Sequence, residues 1–247
     1  MNRFGTWWHC MTCTVLWAAA MLASRASDVL AQPKASKAPI KWQVLHLASK
    51  APRRGVHPLD EKSGLKNLPE LNLVGPSPGH PFLLGNFAIN GRFGVQDAAL
   101  MRTEGLNAAI LLGEVEDFEL EGLVNAEGLG GWFWLLGFAD GHGYLVYNVT
   151  MKTSGSPWQF CEIRGNKAIE ESHREINRLE WKGVQPLALS VKAKKLSLRV
   201  GSARLADGID VDNYGKGQLI LGTYDTQYGA LPVRVSSLRV REIKPPD

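Results

Sequence analysis

Residues Gly131 to Thr150 read GWFWLLGFA, then Asp140-Gly141-His142-Gly143, then YLVYNVT. Two runs rich in aromatic and β-branched residues flank a short glycine-containing connector, the pattern of a β-hairpin. Working outward, strand-like segments recur at Asn90 to Gln96, Asn107 to Leu112, Asp117 to Val124, Trp158 to Ile163, Leu187 to Lys192, Leu196 to Val200, Gln218 to Tyr224 and Val233 to Ile243. Gly, Asp and Asn punctuate them, so the chain is predicted to be all-β, an antiparallel β-sandwich. Only Ala168 to Leu179 has helical composition, and it is read as either a short helix or a charged loop.

Alternation assigns faces to the hairpin. With Asp140 to Gly143 as the loop, Ala139 pairs with Tyr144, Gly137 with Val146, Leu135 with Asn148 and Phe133 with Thr150. Trp132, Trp134, Leu136 and Phe138 then share the opposite face with Leu145, Tyr147, Val149 and Met151. That face is wholly apolar and is assigned to the core. The face of Phe133, Tyr144 and Asn148 is left as the wet or ligand-facing side, and a register slip of one residue would reverse the assignment.

The same test puts Leu187, Leu189 and Val191 inside, followed through Ala193-Lys194-Lys195 by Leu196, Leu198 and Val200. Glu119 and Glu121, at i and i+2 on one strand, share a face, which acid/base chemistry can use but which is ordinary for a solvent-facing strand. A break in step between Val235 and Leu238 places a β-bulge at Ser236 or Ser237.

The N-terminus bears on compartment. Arg3 supplies a positive n-region, and Cys13 to Ala23 is apolar but shorter than the roughly 20 residues of a spanning helix. Residues 1–31 are read as a signal peptide cut after Ala31, with Ala26 as the alternative site and an uncleaved anchor as the alternative fate. The mature chain is expected to be secreted or periplasmic, to begin at Gln32 and to have no membrane span.

Charge divides along the chain. Residues 32–80 hold 8 Lys/Arg against 3 Asp/Glu, whereas residues 81–247 hold 18 against 20. The first segment, rich in Lys, Pro, Ala and Ser, is read as a largely flexible basic linker, and residues 81–247 as the sandwich domain. Basic residues interleaved with aromatics on one face of that domain would mark a nucleic-acid binder; the domain lacks them, and no nucleic-acid partner is expected.

Of three cysteines, Cys10 and Cys13 leave with the signal. Cys161 alone remains and is read as a buried, inert thiol. Asp207 to Asn213 alternates oxygen ligands but lacks the glycine placement and terminal Glu of a calcium loop, so it is read as a polar turn. With no phosphate-cradling loop, HExxH or GxSxG, neither a metal nor a cofactor is expected. Asn148-Val149-Thr150 matches a glycosylation sequon, but it lies inside a predicted strand.

The order FAINGRFGVQDAALMRTEG, VEDFELEG, the aromatic hairpin, KGVQPLALSVKAKKLSLRVGSARLAD, GQLILGTYD and VRVSSLRVREI resembles the concanavalin-like jelly roll. More narrowly, it is similar to the bacterial 3-keto-disaccharide hydrolase domain of secreted planctomycete proteins. Laminin-G-like modules share the same strand and turn markings. The resemblance implies a carbohydrate partner, bound or cleaved outside the cytoplasm. If the wet face takes that sugar, Phe133, Tyr144, Asn148 and Tyr224 are the substrate-binding candidates, and Glu162 or Asp225 is the catalytic candidate for any proton transfer. No spacing in the sequence forces two carboxylates together, as a carboxylate-pair hydrolase requires. The alternative is a non-catalytic adhesion or scaffold module.

Overall fold

The structure is a computed structural model. It describes residues 43–44, 64–75, 87–125, 130–150, 156–179, 183–226, 229–230 and 233–243. The segment read as a signal peptide and most of the segment read as a linker lie outside these residues.

Two antiparallel sheets stack face to face. The first runs, in spatial order, Ala203–Asp210, Lys195–Val200, Gln185–Lys192, Phe118–Asn125, Arg234–Glu242, Ala99–Glu104 and Arg92–Gln96. The second runs Lys167–Ala168, Ser156–Arg164, His142–Thr150, Gly130–Ala139, Gly217–Thr226, Ala108–Val115 and Lys66–Asn67. Every strand candidate read from the sequence is present, and the architecture is the predicted antiparallel β-sandwich. Ala168 to Leu179 is neither a helix nor a loop throughout. A 3-10 turn at Glu170–Ser172 leads into an edge strand, Arg174–Leu179, paired with Ser156–Arg164.

Between the sheets lies a core containing Trp132, Trp134, Trp158, Phe118, Leu120, Leu189 and Leu198. The inward assignment of Leu187 to Val200 holds, and so does that of Trp132 and Trp134. Both turns flanking these hairpins use two residues of positive φ, Asp140–Gly141 and Ala193–Lys194, whose backbone twist matches the strands. Ser237 is also in the left-handed region, and the register shifts between Ser236 and Arg239, where the bulge was expected.

The hairpin register differs from the expected one. Tyr144 lies opposite Leu136, Val146 opposite Trp134 and Asn148 opposite Trp132, with an irregularity between His142 and Tyr144. The tight two-residue turn shifts the pairing, which moves Tyr144 and Asn148 onto the tryptophan face and Leu145 and Tyr147 onto the face of Phe133. Phe138 also leaves its expected face. Gly137 adopts φ +59°, the pairing with Gly217–Thr226 shifts between Gln218 and Ile220, and Phe138 packs against the outer cluster.

The outer face of the second sheet is therefore not wet. Phe133, Leu135, Leu145, Tyr147, Ile220 and Tyr224 form a second buried cluster, closed by Leu73 and Phe87. Leu73 and Phe87 belong to a short strand pair, Asn72–Leu73 with Phe87–Ala88. Residues 64–75, assigned by composition to the linker, thus pack on the sandwich: Lys66–Asn67 adds an edge strand, and Leu65 and Leu73 are buried. Their leucines, at 65, 68, 71 and 73, supply the apolar surface that offsets the entropy of ordering them.

Candidate functional site

The six candidate residues do not share one surface. Phe133 and Asn148 are 0 % exposed and Tyr224 is 2 % exposed, so none of the three presents a side chain to an external ligand. Asn148 is spent internally: its Oδ1 accepts from Trp132 Nε1 at 3.1 Å, and its Nδ2 donates to the Pro157 carbonyl at 2.9 Å. Tyr224 donates to the Asn148 carbonyl, and its phenol is pushed up by burial. The ligand-facing side predicted for Phe133 and Asn148 is filled by the protein itself.

Nor do the two carboxylates meet. Glu162 lies opposite Tyr144, whereas Asp225 follows Tyr224, which lies opposite Gly131 and so in the row of Val149. Tyr144 and Val149 are five residues apart on one strand, about 17 Å at ~3.4 Å per residue. A glycosidase pair spans roughly 5–10 Å. Asp225 is exposed, with its backbone N–H donating to Asn107 Oδ1 and its charge acting on Arg102. The two candidate carboxylates therefore stand on separate parts of the sheet.

Tyr144 and Glu162 are brought together. They line a cleft of about 440 Å³ beside the Ser156–Arg164 strand, which Asp210, Asp212 and Asn213 also line. On this side of the molecule the edges of the two sheets approach, and Asn177 Nδ2 donates to the Arg204 carbonyl across them. Within the cleft, Tyr144 and Phe160 stack with ring centroids 5.6 Å apart, and the Arg174 guanidinium lies 5.1 Å over the Phe160 ring. Cation and π-face attract in this arrangement.

Glu162 organises the polar wall. Arg164 donates from Nε to Oε1 at 3.0 Å and from Nη2 to Oε2 at 2.8 Å, and Asn213 Nδ2 adds a third bond to Oε1 at 2.9 Å. The Glu162 side chain is 12 % exposed and that of Arg164 is 52 % exposed. The Arg164 fork holds the Glu162 carboxyl below the usual range against the opposing effect of burial, and Asn213 assists. Glu162 is therefore an ionised acceptor, not a proton donor. Asn213 also donates its backbone N–H to the Tyr144 hydroxyl at 3.0 Å, and burial pushes that phenol up.

His173 and Ser172 enter from the 3-10 turn. Ser172 Oγ accepts from the Glu162 backbone N–H and donates to the Ile169 carbonyl, fixing the turn to the strand. His173 Nε2 lies 2.7 Å from Tyr147 Oη and 2.6 Å from Gln159 Oε1, and Tyr147 Oη donates to Gln159 Oε1 at 2.8 Å. Arg164, His173 and Asn213 join the cleft without having been among the candidates read from the sequence. Alternation gives a clue for Arg164, two residues beyond Glu162 on the same face. Asn213 sits in a turn that no local pattern ties to the hairpin.

The remaining motifs keep their plain readings. Glu119 and Glu121 pair with Arg241 and Arg239 across the first sheet's outer face. Asp207 pairs with Arg204, Asp210 with Lys195, and the Asp212 carbonyl accepts from Lys194. Among the described residues, no group of three or more His, Cys, Asp or Glu is placed to hold a metal ion, and no helix is long and apolar enough to cross a membrane.

No protein-family model matches the chain, and no curated protein matches it in sequence. Solved structures with a similar course exist. The carbohydrate binding module CBM66 from Bacillus subtilis is 12 % identical, with 62 % of this chain and 92 % of that one covered and a TM-score of 0.46. A native glycosidic hydrolase is 7 % identical over 76 % of this chain and 93 % of its own, with a TM-score of 0.48. The alginate lyase Aly36B is 12 % identical over 63 % and 85 %, with a TM-score of 0.42. At these identities none of them assigns a ligand or an activity to this chain.

Proposed function

We propose that this domain binds carbohydrate in the cleft at the sheet edges, outside the cytoplasm. The observation that carries the reading is the locked Arg164. Two of its five N–H donors grip Glu162, which leaves three directed elsewhere from an orientation already fixed before a ligand arrives. Such preorganisation lowers the ordering cost of binding. Asn213 and Asp212 supply amide and carboxylate partners for hydroxyl groups, and the Tyr144–Phe160 stack supports the apolar side of the cleft. A cleft of this volume falls in the range that takes one or two sugar rings.

Export of the chain belongs to the same reading, supported by the short apolar run at Cys13 to Ala23. A glycan array probed with exported protein tests binding, and N-terminal sequencing of that material tests cleavage after Ala31. Binding to no glycan would return the domain to the scaffold reading.

A processing role, with the 3-keto disaccharides as its narrow form, draws on His173. His173 borders the cleft, with its Nε2 held at 2.7 and 2.6 Å by Tyr147 and Gln159 of the outer face, and an imidazole is the side chain suited to proton transfer near neutral pH. Glu162, ionised and bound by Arg164, does not fill the proton-donor role. Incubation with 3-keto disaccharides decides between the readings: turnover lost in His173→Ala supports processing, and no turnover leaves a binding module.

A further inference from the structure

A second cleft, of about 460 Å³, opens on the other side of the sheet, where residues 66–72 cross near the Asp140–Gly141 turn. We infer that it is a separate binding site for a neutral sugar ring, built on the half-buried ring of Phe138 and the side-chain amides of Asn72, Asn166 and Gln218. This inference does not depend on the edge cleft or on Arg164.

The ring is delivered by a backbone irregularity. Gly137 at φ +59° breaks the alternation that would put Phe138 between the sheets, and the ring packs instead on the outer cluster with part of its surface open. An aromatic ring open on one side stacks on the apolar face of a pyranose. Each amide comes from a different, pinned segment. Asn72 lies in the strand paired with Phe87–Ala88, and Gln218 lies opposite Phe138 in Gly217–Thr226. Asn166 occupies a Gly165–Asn166 turn of positive φ whose backbone is tied on both sides: its N–H donates to the Gly141 carbonyl at 2.9 Å, and its carbonyl accepts from Val74 at 2.8 Å.

The chemistry of the lining selects the ligand class. A carboxamide both donates and accepts, so three of them match hydroxyl groups without demanding a charge. These three amide side chains make no hydrogen bond to the described residues. Leu68, Pro69 and Leu71 add apolar wall, and Lys66 and Glu70, of opposite sign, favour neither an anion nor a cation. The edge cleft differs in kind, since its wall is a guanidinium–carboxylate network.

The test is a titration of the isotope-labelled mature chain with cellotriose, laminaritriose and xylotriose, followed by heteronuclear NMR. At least one trisaccharide is expected to shift the side-chain amide signals of Asn72, Asn166 and Gln218 and to saturate. Gln218→Ala, an exchange at a partly exposed position, should weaken that saturation at least fivefold, and Phe138→Ala at least tenfold. The Arg164 Nε–H signal reports the edge cleft in the same spectra, so failure of either site is read separately. Amide signals that stay still with all three sugars, or an affinity unchanged in both variants, would overturn the inference.

Discussion

Arg164 holds both carboxylate oxygens of Glu162, at 3.0 and 2.8 Å, from two residues along the same strand. This pair lies on one face by alternation alone, and its partner from outside the strand is Asn213, 51 positions further along the chain. The local pair fixes the guanidinium, and the distant amide ties it to the turn that lines the far wall of the cleft.

That pair makes stability depend on pH with a definite sign. Arg164 lowers the Glu162 pKa in the folded state, so the stabilisation is complete above the unfolded carboxyl value of about 4.3 and is lost as pH falls through the lower folded value. Urea melts at pH 7 should show Arg164→Ala less stable than the parent, with the gap narrowing as the pH is lowered below about 4. A gap that stays constant across this range would show that the pair contributes nothing.

The second sheet is buried on both faces, so adjacent residues on one strand should be comparably sensitive. Trp134→Ala, between the sheets, and Phe133→Ala, in the outer cluster, should each cost roughly 3–5 kcal/mol. Tyr144→Ala should also be costly, in contrast to its expected place on a wet face. Denaturant melts of the three variants check this, and a near-neutral Phe133→Ala would mean that the outer face is open.

Gly222 lies directly against the ring of Phe133, leaving no room for a Cβ, and Gly131 stands in the same relation to Tyr224. Gly222→Ala should therefore destabilise by about 1–3 kcal/mol through overpacking. Pairing it with Phe133→Leu should recover part of the loss, a non-additivity that a double-mutant cycle measures. Simple addition of the two losses would show that the ring is not what crowds position 222.

Cys161 is 1 % exposed, and burial pushes its thiol up to about 12. Little thiolate exists at pH 8, so a disulfide reagent should leave the native mature chain unlabelled and react with one equivalent in denaturant. Rapid labelling of the native protein would contradict the buried placement.

Much of the fold is legible in the residues, because strand periodicity and turn chemistry are local. The inward leucines of the Lys194 hairpin, the bulge beside Ser237 and the core tryptophans all follow from spacing. The wet face did not, and the reason is also local: Trp132 to Leu136 carries no polar residue, the signature of a strand covered on both sides. That covering comes from Phe87, near the start of the expected domain, and from Leu73, in a segment whose lysines and prolines had marked it as linker. The site was less legible. Tyr144 and Glu162 were singled out separately, but their meeting depends on the pairing of His142–Thr150 with Ser156–Arg164, and the face they share depends on a hairpin register three residues from the expected one. His173 comes from a turn eleven residues after Glu162 and Asn213 from one 51 residues on, and no spacing announces either. Asp225 was grouped with Glu162 by chemistry alone, and the strand rows separate the two.

The most direct test of the central claim is isothermal titration of the best glycan-array ligand into the parent chain, Arg164→Ala, Asn213→Ala and Asp225→Asn. Arg164→Ala should lose at least tenfold in affinity, Asn213→Ala less, and Asp225→Asn should bind as the parent does. Affinity that survives both cleft substitutions, or that disappears with Asp225→Asn, would contradict the claim and move carbohydrate recognition away from the sheet-edge cleft.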